Sequence, residues 1–155
     1  MEFHILCGIP GSGKSTLVEK LTGFVISTDS IRRFLWQDES VVKHDKLVFD
    51  LAETIMSYLF SRTEDIIFDA TNLTIERRKK YINLAKRYDA TVTVHWVNCP
   101  LHIAIERNSR RDRKVPEMII KSLYKSFQKP TIDEGMDLIK VYEENLSLST
   151  IITPG

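Results

Sequence analysis

The chain has 155 residues, 43% of them hydrophobic and 28% charged, with a formal net charge of +1. That length suits one domain, residues 1–155, able to bury a core without disulfide or metal staples, and the balanced charge gives no global electrostatic argument for a nucleic-acid or membrane partner. No apolar stretch approaches the ~20 residues that span a bilayer, and no leader pattern precedes the first apolar run.

Taken in order, the elements alternate between strands and helices. Phe3 to Cys7 is a short apolar strand, and Ser15 to Leu21 follows as a helix. Phe24 to Ser27 is the second strand, and Ser30 to Trp36 is helical, with Phe34 and Trp36 read as core packing in preference to stacking on an acceptor base. Within 41–62 lies a long helix whose apolar residues Leu47, Leu51, Ile55 and Leu59 recur every four positions, with Val48 and Ala52 beside them. Asp65 to Asp69 is the third strand. Ile75 to Tyr88 is a charged helix turning Tyr81, Ile82, Leu84 and Ala85 inward. Thr91 to Val97 is the fourth strand, Leu101 to Arg110 a helix, and Arg110 to Val115 a basic loop. Pro116 starts a helix to about Phe127, Gly135 marks a turn, and Ile139 to Tyr142 is the last strand. Such alternation predicts a doubly wound parallel α/β sheet with helices on both faces. Cys7 and Cys99 sit in apolar runs that suit buried, reduced thiols, so a cytoplasmic location is expected.

Three strand ends carry the chemistry. Gly8-Ile9-Pro10-Gly11-Ser12-Gly13-Lys14-Ser15 is a complete phosphate-binding loop between a strand and a helix, continued by Thr16. Its glycines let successive N–H groups face inward on phosphate oxygens, Lys14 supplies a mobile charge, and Ser15 offers a hydroxyl to Mg²⁺. The implied ligands are ATP and Mg²⁺. Asp29 follows the second strand, where parallel-sheet topology faces it toward the same crevice. A carboxylate there can orient a hydroxyl and take its proton, and Arg32, one turn on, can grip an anion. The alternative for this pair is plain helix capping by Asp29 or Ser30. Asp69 ends an apolar third strand, the arrangement that holds Mg²⁺ directly or through water. Thr71, Asn72 and Thr74 follow at the crevice mouth, where Asn72 or Thr74 could also cap the next helix. Arg107, Arg110, Arg111, Arg113 and Lys114 form a basic stretch suited to a lid over the phosphates. Arg107 and Arg111 are one turn apart, and Arg113 is the rival for the second role.

Taken together, these segments resemble the kinase domain of polynucleotide 5′-hydroxyl kinases, of both the phage type and the end-repair kinase–phosphatase type. The resemblance rests on the phosphate loop, Thr28-Asp29-Ser30-Ile31-Arg32, Asp69-Ala70-Thr71-Asn72-Leu73, Glu76-Arg77-Arg78 and Glu106-Arg107-Asn108-Ser109-Arg110-Arg111. It continues through Val115-Pro116, Leu123-Tyr124-Lys125-Ser126 and Pro130 to Gly135. It implies that Lys14 and Ser15 bind phosphates and Mg²⁺, that Asp29 is the base toward a 5′-hydroxyl of DNA or RNA, that Arg32 grips the acceptor's adjacent phosphate, and that Arg111 contacts the nucleotide phosphates. No Asp-x-Asp-Gly-Thr motif occurs, so a 3′-phosphatase activity is not expected. Two other readings keep the same ATP half: a kinase for a small molecule, nucleoside or modified RNA, and an ATP-binding regulatory module that transfers nothing.

Overall fold

The computed structural model describes residues 1–112 and 114–155. Strands β1 (Glu2–Cys7), β2 (Phe24–Ser27), β3 (Ile66–Asp69), β4 (Thr91–Val97), β5 (Leu138–Tyr142) and β6 (Leu148–Ile152) form one sheet in the order β2-β3-β1-β4-β5-β6. The first five run parallel, and β6 runs antiparallel along β5. The helices are α1 (Lys14–Val18), α2 (Thr28–Trp36), α3 (Asp45–Ser61), α4 (Ile75–Lys86), α5 (Leu101–Ser109) and α6 (Glu117–Ser126), with a 3-10 turn over Ile132–Glu134. Five parallel strands alternate with helices packed on both faces of the sheet, as the sequence predicts. Among the described residues no helix is long and apolar enough to cross a membrane.

Alternation along the strands divides the core. Phe3 and Ile5 of β1 and Ile66 and Phe68 of β3 face α3 and α4, where they meet Ala52, Met56, Tyr81 and Ile82. Leu6, Ile67 and Val97 face the other side and pack on Leu17 of α1. A third cluster joins Ile9 of the phosphate loop and Leu73 to Ala104 of α5 and Ile120 of α6. The apolar contacts of the loop that follows β1 are therefore made with the helices that flank the basic stretch.

Four expectations are corrected. The final strand is β6, whose residues are mostly exposed and lack the inward alternation that marks a core strand. In α3 the buried stripe is Val48, Ala52, Met56 and Phe60, while Leu47 and Ile55 are more than 40% exposed. Neighbouring four-residue rows both read as apolar there, and the sheet takes the row one residue along. Phe34 is 86% exposed, so it is not core, whereas the Trp36 ring meets that of His44 in a tilted contact. Helix α2 starts at Thr28, two residues early, because Ser27 accepts a hydrogen bond from Ser30 N and serves as its cap. Tyr81, Ile82, Leu84 and Ala85 are buried, as the pattern of α4 predicts, and so are both cysteines.

Candidate active site

The phosphate loop leaves β1 at Cys7 and is held by backbone hydrogen bonds. Gly8 N donates to the Thr71 carbonyl at 3.0 Å, and Ser12 N to the Ile9 carbonyl at 3.2 Å. Gly11 has φ +84°, and a Cβ there would lie 2.4 Å from the Ala104 carbonyl oxygen, so only glycine fits between loop and α5. Gly13 caps α1 with φ 102° and no side-chain hydrogen bond. Pro10 and Gly11 line the crevice with Lys14, Ser15 and Thr16, and the Ser12 hydroxyl is buried without a protein partner. Arg107 donates to the Ser12 carbonyl (3.2 Å) and to the Glu144 carbonyl (2.7 Å), tying the loop to the β5–β6 connection.

Charge converges on Lys14. Burial lowers its pKa, Asp69 and Asp29 oppose that, and Arg111 adds to the lowering. Burial likewise raises the Asp69 carboxyl, against the pull of Lys14 and with the repulsion of Asp29. Residues from four separate segments thus sense one another around the loop. Ser15 and Asp69 offer one hydroxyl and one carboxylate. That set fits an oxygen-seeking dication that keeps several waters and takes its remaining ligands from phosphates. Among the described residues no group of three or more His, Cys, Asp or Glu could hold a metal alone.

On the opposite bank Asp29 stands in the first turn of α2 with its side chain 64% exposed. Arg32 Nη1 donates to Asp29 Oδ1 at 2.9 Å. Its Nε and Nη2 donate to the two oxygens of Asp45 at 2.9 and 2.7 Å, a bidentate pair from the start of α3. Burial works against the charge on Arg32, but Asp45 and Asp29 outweigh it and raise its pKa. Asp45 was not a candidate from the sequence; it lies 13 residues from Arg32, beyond the reach of any helical spacing rule. Thr71 lines the crevice and lends its carbonyl to Gly8. Asn72 is buried and turns its amide inward, where Nδ2 donates to the Leu6 carbonyl at 2.7 Å. Its φ of 47° makes the turn out of β3, so its side chain braces the loop.

Both banks line one crevice of about 980 Å³ that also includes Phe49, Arg77, Lys114, Ile119 and Leu123. Of the basic stretch, Arg107, Arg111 and Lys114 line this crevice, and Arg110 pairs instead with Glu106 on the surface. Arg113 lies outside the described residues. The stretch is closed at its base by Asn108, whose Nδ2 donates to the Val115 carbonyl (2.6 Å) while Val115 N donates to its Oδ1 (2.9 Å). Sequence reasoning missed this clamp, since a lone Asn in a helix carries no pattern. It also missed buried Arg78. That guanidinium meets Glu134 at 2.8 and 3.1 Å and donates to the Asn72 carbonyl (2.9 Å) and the Gln128 carbonyl (2.7 Å).

Comparison with known proteins agrees with this arrangement. The profile of a family described as "AAA domain" (AAA_33) matches residues 3–130. The chain is similar to L-seryl-tRNA(Sec) kinase of Methanococcus maripaludis, 27% identical over 145 residues, covering 86% of this chain and 55% of that protein. It is also similar to the bifunctional polynucleotide phosphatase/kinase of Schizosaccharomyces pombe, 27% identical over 139 residues, covering 86% of this chain and 31% of that protein. This chain therefore spans about half of the first relative and under a third of the second. In fold it matches a chain of the Pnkp1/Rnl/Hen1 RNA repair complex with a TM-score of 0.70 at 19% identity, over 81% of this chain and 43% of that one.

Proposed function

Because the chain belongs to the AAA domain family AAA_33 and is a P-loop kinase, we propose that it transfers the γ-phosphate of ATP to the 5′-hydroxyl end of DNA or RNA. The observation that carries this is Asp29, held by Arg32 across the crevice from the phosphate loop. A regulatory module that only binds nucleotide has no use for an oriented carboxylate there. The similarity to the yeast phosphatase/kinase and the fold of the RNA repair complex support a nucleic-acid acceptor.

The chain's residues divide the work. The loop's N–H groups and Lys14 hold the β- and γ-phosphates, and Ser15 and Asp69 would hold Mg²⁺, which neutralises charge on the transferring group when bound. Asp29 orients the acceptor hydroxyl and takes its proton as the oxygen attacks. Arg32 fixes the rotamer of Asp29, and Asp45 fixes Arg32. Arg111 closes from the basic stretch and stabilises charge on the phosphoryl oxygens. Arg107, already bonded to two carbonyls, holds the loop in shape beside the nucleotide. The similarity to L-seryl-tRNA(Sec) kinase favours a second reading, in which the hydroxyl belongs to a seryl group carried by tRNA.

The test is transfer of labelled γ-phosphate to 5′-hydroxyl DNA and RNA oligonucleotides, nucleoside 3′-monophosphates, nucleosides and seryl-tRNA. Strong labelling of the oligonucleotides, with kcat lowered roughly 10²–10⁴-fold in Asp29→Ala at unchanged ATP KM, is the expected result. Labelling of seryl-tRNA alone would select the second reading. Labelling of no hydroxyl, with ATP still bound, would overturn both.

A further inference from the structure

The basic stretch hangs on one residue. Asn108 stands in the last turn of α5 and is only 5% exposed. Its carbonyl accepts from Arg111 N at 3.2 Å. Its side-chain amide donates to the Val115 carbonyl and accepts from Val115 N, seven residues on. The same residue therefore fixes the backbone of Arg111 and closes the base of the segment that carries it.

The flanks of that segment are tied to the strand ends. One turn before Asn108, the Ala104 carbonyl oxygen lies where a Cβ on Gly11 would come within 2.4 Å of it. The residue just before Asn108 is Arg107, which donates to the Ser12 carbonyl. Val115 packs against the apolar cluster that holds Ile9 of the phosphate loop. Helix α6 is pinned at its far end, where Gln128 N donates to the Leu73 carbonyl and Gln128 Oε1 accepts from Ile75 N, both at 2.8 Å. From between these anchored flanks Arg111 and Lys114 reach the crevice.

Arg111 needs such a hold. Its charge reaches Lys14 and helps to lower the pKa of that amine, so the two cations repel each other. A guanidinium on an untethered segment would turn outward to solvent. Bringing it back would cost part of its electrostatic benefit, which depends on the group being in place beforehand. Packing alone does not ask for an amide here. A side chain that only filled space beside Ala104 and Ile120 could be apolar, whereas an amide bonded at both ends adds direction. We infer that Asn108 is the positioning residue of the basic stretch: bonded both ways to Val115, it holds Arg111 opposite Lys14, so that a transferring phosphoryl group is gripped from two sides. This inference rests on the role proposed for Arg111. It adds a residue that itself touches neither nucleotide nor acceptor.

The test is calorimetric titration with ADP alone and with ADP plus aluminium fluoride, whose anion stands in for the phosphoryl group in flight. Both are run with Mg²⁺ on the wild type, Asn108→Ala, Asn108→Asp, Arg111→Ala, and Asn108→Ala combined with Arg111→Ala. A transition-state mimic gains most from groups placed for it. Arg111→Ala weakens the aluminium fluoride complex roughly 10²–10³-fold. Asn108→Ala leaves ADP affinity unchanged and weakens that complex by up to about 10²-fold, the scale of a misplacement of about 1 Å. The combined variant binds it no more weakly than Arg111→Ala alone, because the two residues act as a unit. Asn108→Asp, which keeps the bond from Val115 N, loses less, and it carries the comparison if Asn108→Ala does not fold. A loss that adds to that of Arg111→Ala, or an equal loss for ADP alone, makes Asn108 a support of the fold and overturns the inference. An undiminished aluminium fluoride complex overturns it as well. The coupled loss, found in a protein that labels no hydroxyl, leaves the role of Asn108 standing and overturns the acceptor reading. Hydroxyl labelling without the coupled loss does the reverse.

Discussion

The two banks of the crevice are built differently. The donor bank is made of backbone: Gly8 bonds to Thr71, Ser12 to Ile9, and Gly11 passes within a Cβ's width of Ala104. Even its side-chain support, Arg107, ends on carbonyl oxygens. The bank that the proposed function gives to the acceptor is made of side chains on other side chains, with Asp29 on Arg32, Arg32 on Asp45 and Arg77 on Phe49. A phosphate chain presents the same oxygens in every nucleotide, so main-chain N–H groups can be fixed around it. An acceptor is recognised by groups that substitution can exchange while the sheet stays the same.

The strongest challenge to this division is the joint the banks share. Arg78 is buried against Glu134 and holds the Asn72 carbonyl, on the turn whose Thr71 carbonyl receives Gly8. Arg78→Met leaves a buried, uncompensated carboxylate and costs about 3–5 kcal/mol. Denaturant titration of the ligand-free protein measures that loss. Combining it with Glu134→Gln recovers much of it, because the unpaired charge is removed. If Arg78→Met kept both its stability and its ATP affinity, the shared joint would be disproved.

How far the sequence is readable follows the same division. The phosphate loop, Asp29 and Asp69 were legible because the signals are local: a contiguous motif, then acids directly after apolar strands. Arg32's partner was not, since Asp45 comes from the next helix. Arg78 was hidden within Arg77-Arg78-Lys79-Lys80, a run that reads as a solvated face although its second member is buried. Strand β6 escaped because an edge strand with Leu148 and Ile151 half exposed has no buried face to write a period of two into the sequence. In α3 the period was plain and the phase was not, because adjacent rows are both apolar.

A smaller effect separates the banks by pH. Beneath the donor bank, on the face packed by α1, His95 bonds to the Tyr142 hydroxyl and to His4, both at 2.9 Å. Burial first, then the charges of His4 and Lys140, lower its pKa to about 3. His4 is lowered in the same direction by burial, against Glu2 and Asp65. A histidine whose folded pKa is depressed contributes stability that is present above its unfolded value of 6.5 and is lost as pH falls below it. His95 alone accounts for about 2 kcal/mol lost by pH 5. Stability of the wild type measured from pH 7 to 5 falls, and His95→Gln reduces the decline by about that amount. An equal decline in both proteins would remove His95 from the account.

The smallest effect bears on the helix starts. On the acceptor bank, α2 and α4 are capped by side chains, Ser27 accepting from Ser30 N and Thr74 from Arg77 N, each at 3.2 Å. On the donor bank, α1 begins at Gly13 with no side-chain cap, which leaves its first N–H groups for phosphate oxygens. Thr74→Ala therefore costs about 1 kcal/mol, and saturating ATP adds the same increment to its thermal stability as to the wild type's, because the cap and the nucleotide act on separate helices. An increment reduced by as much as the cap's own worth would mean that the two banks settle cooperatively, and the division into a backbone half and a side-chain half would hold for structure but not for energy.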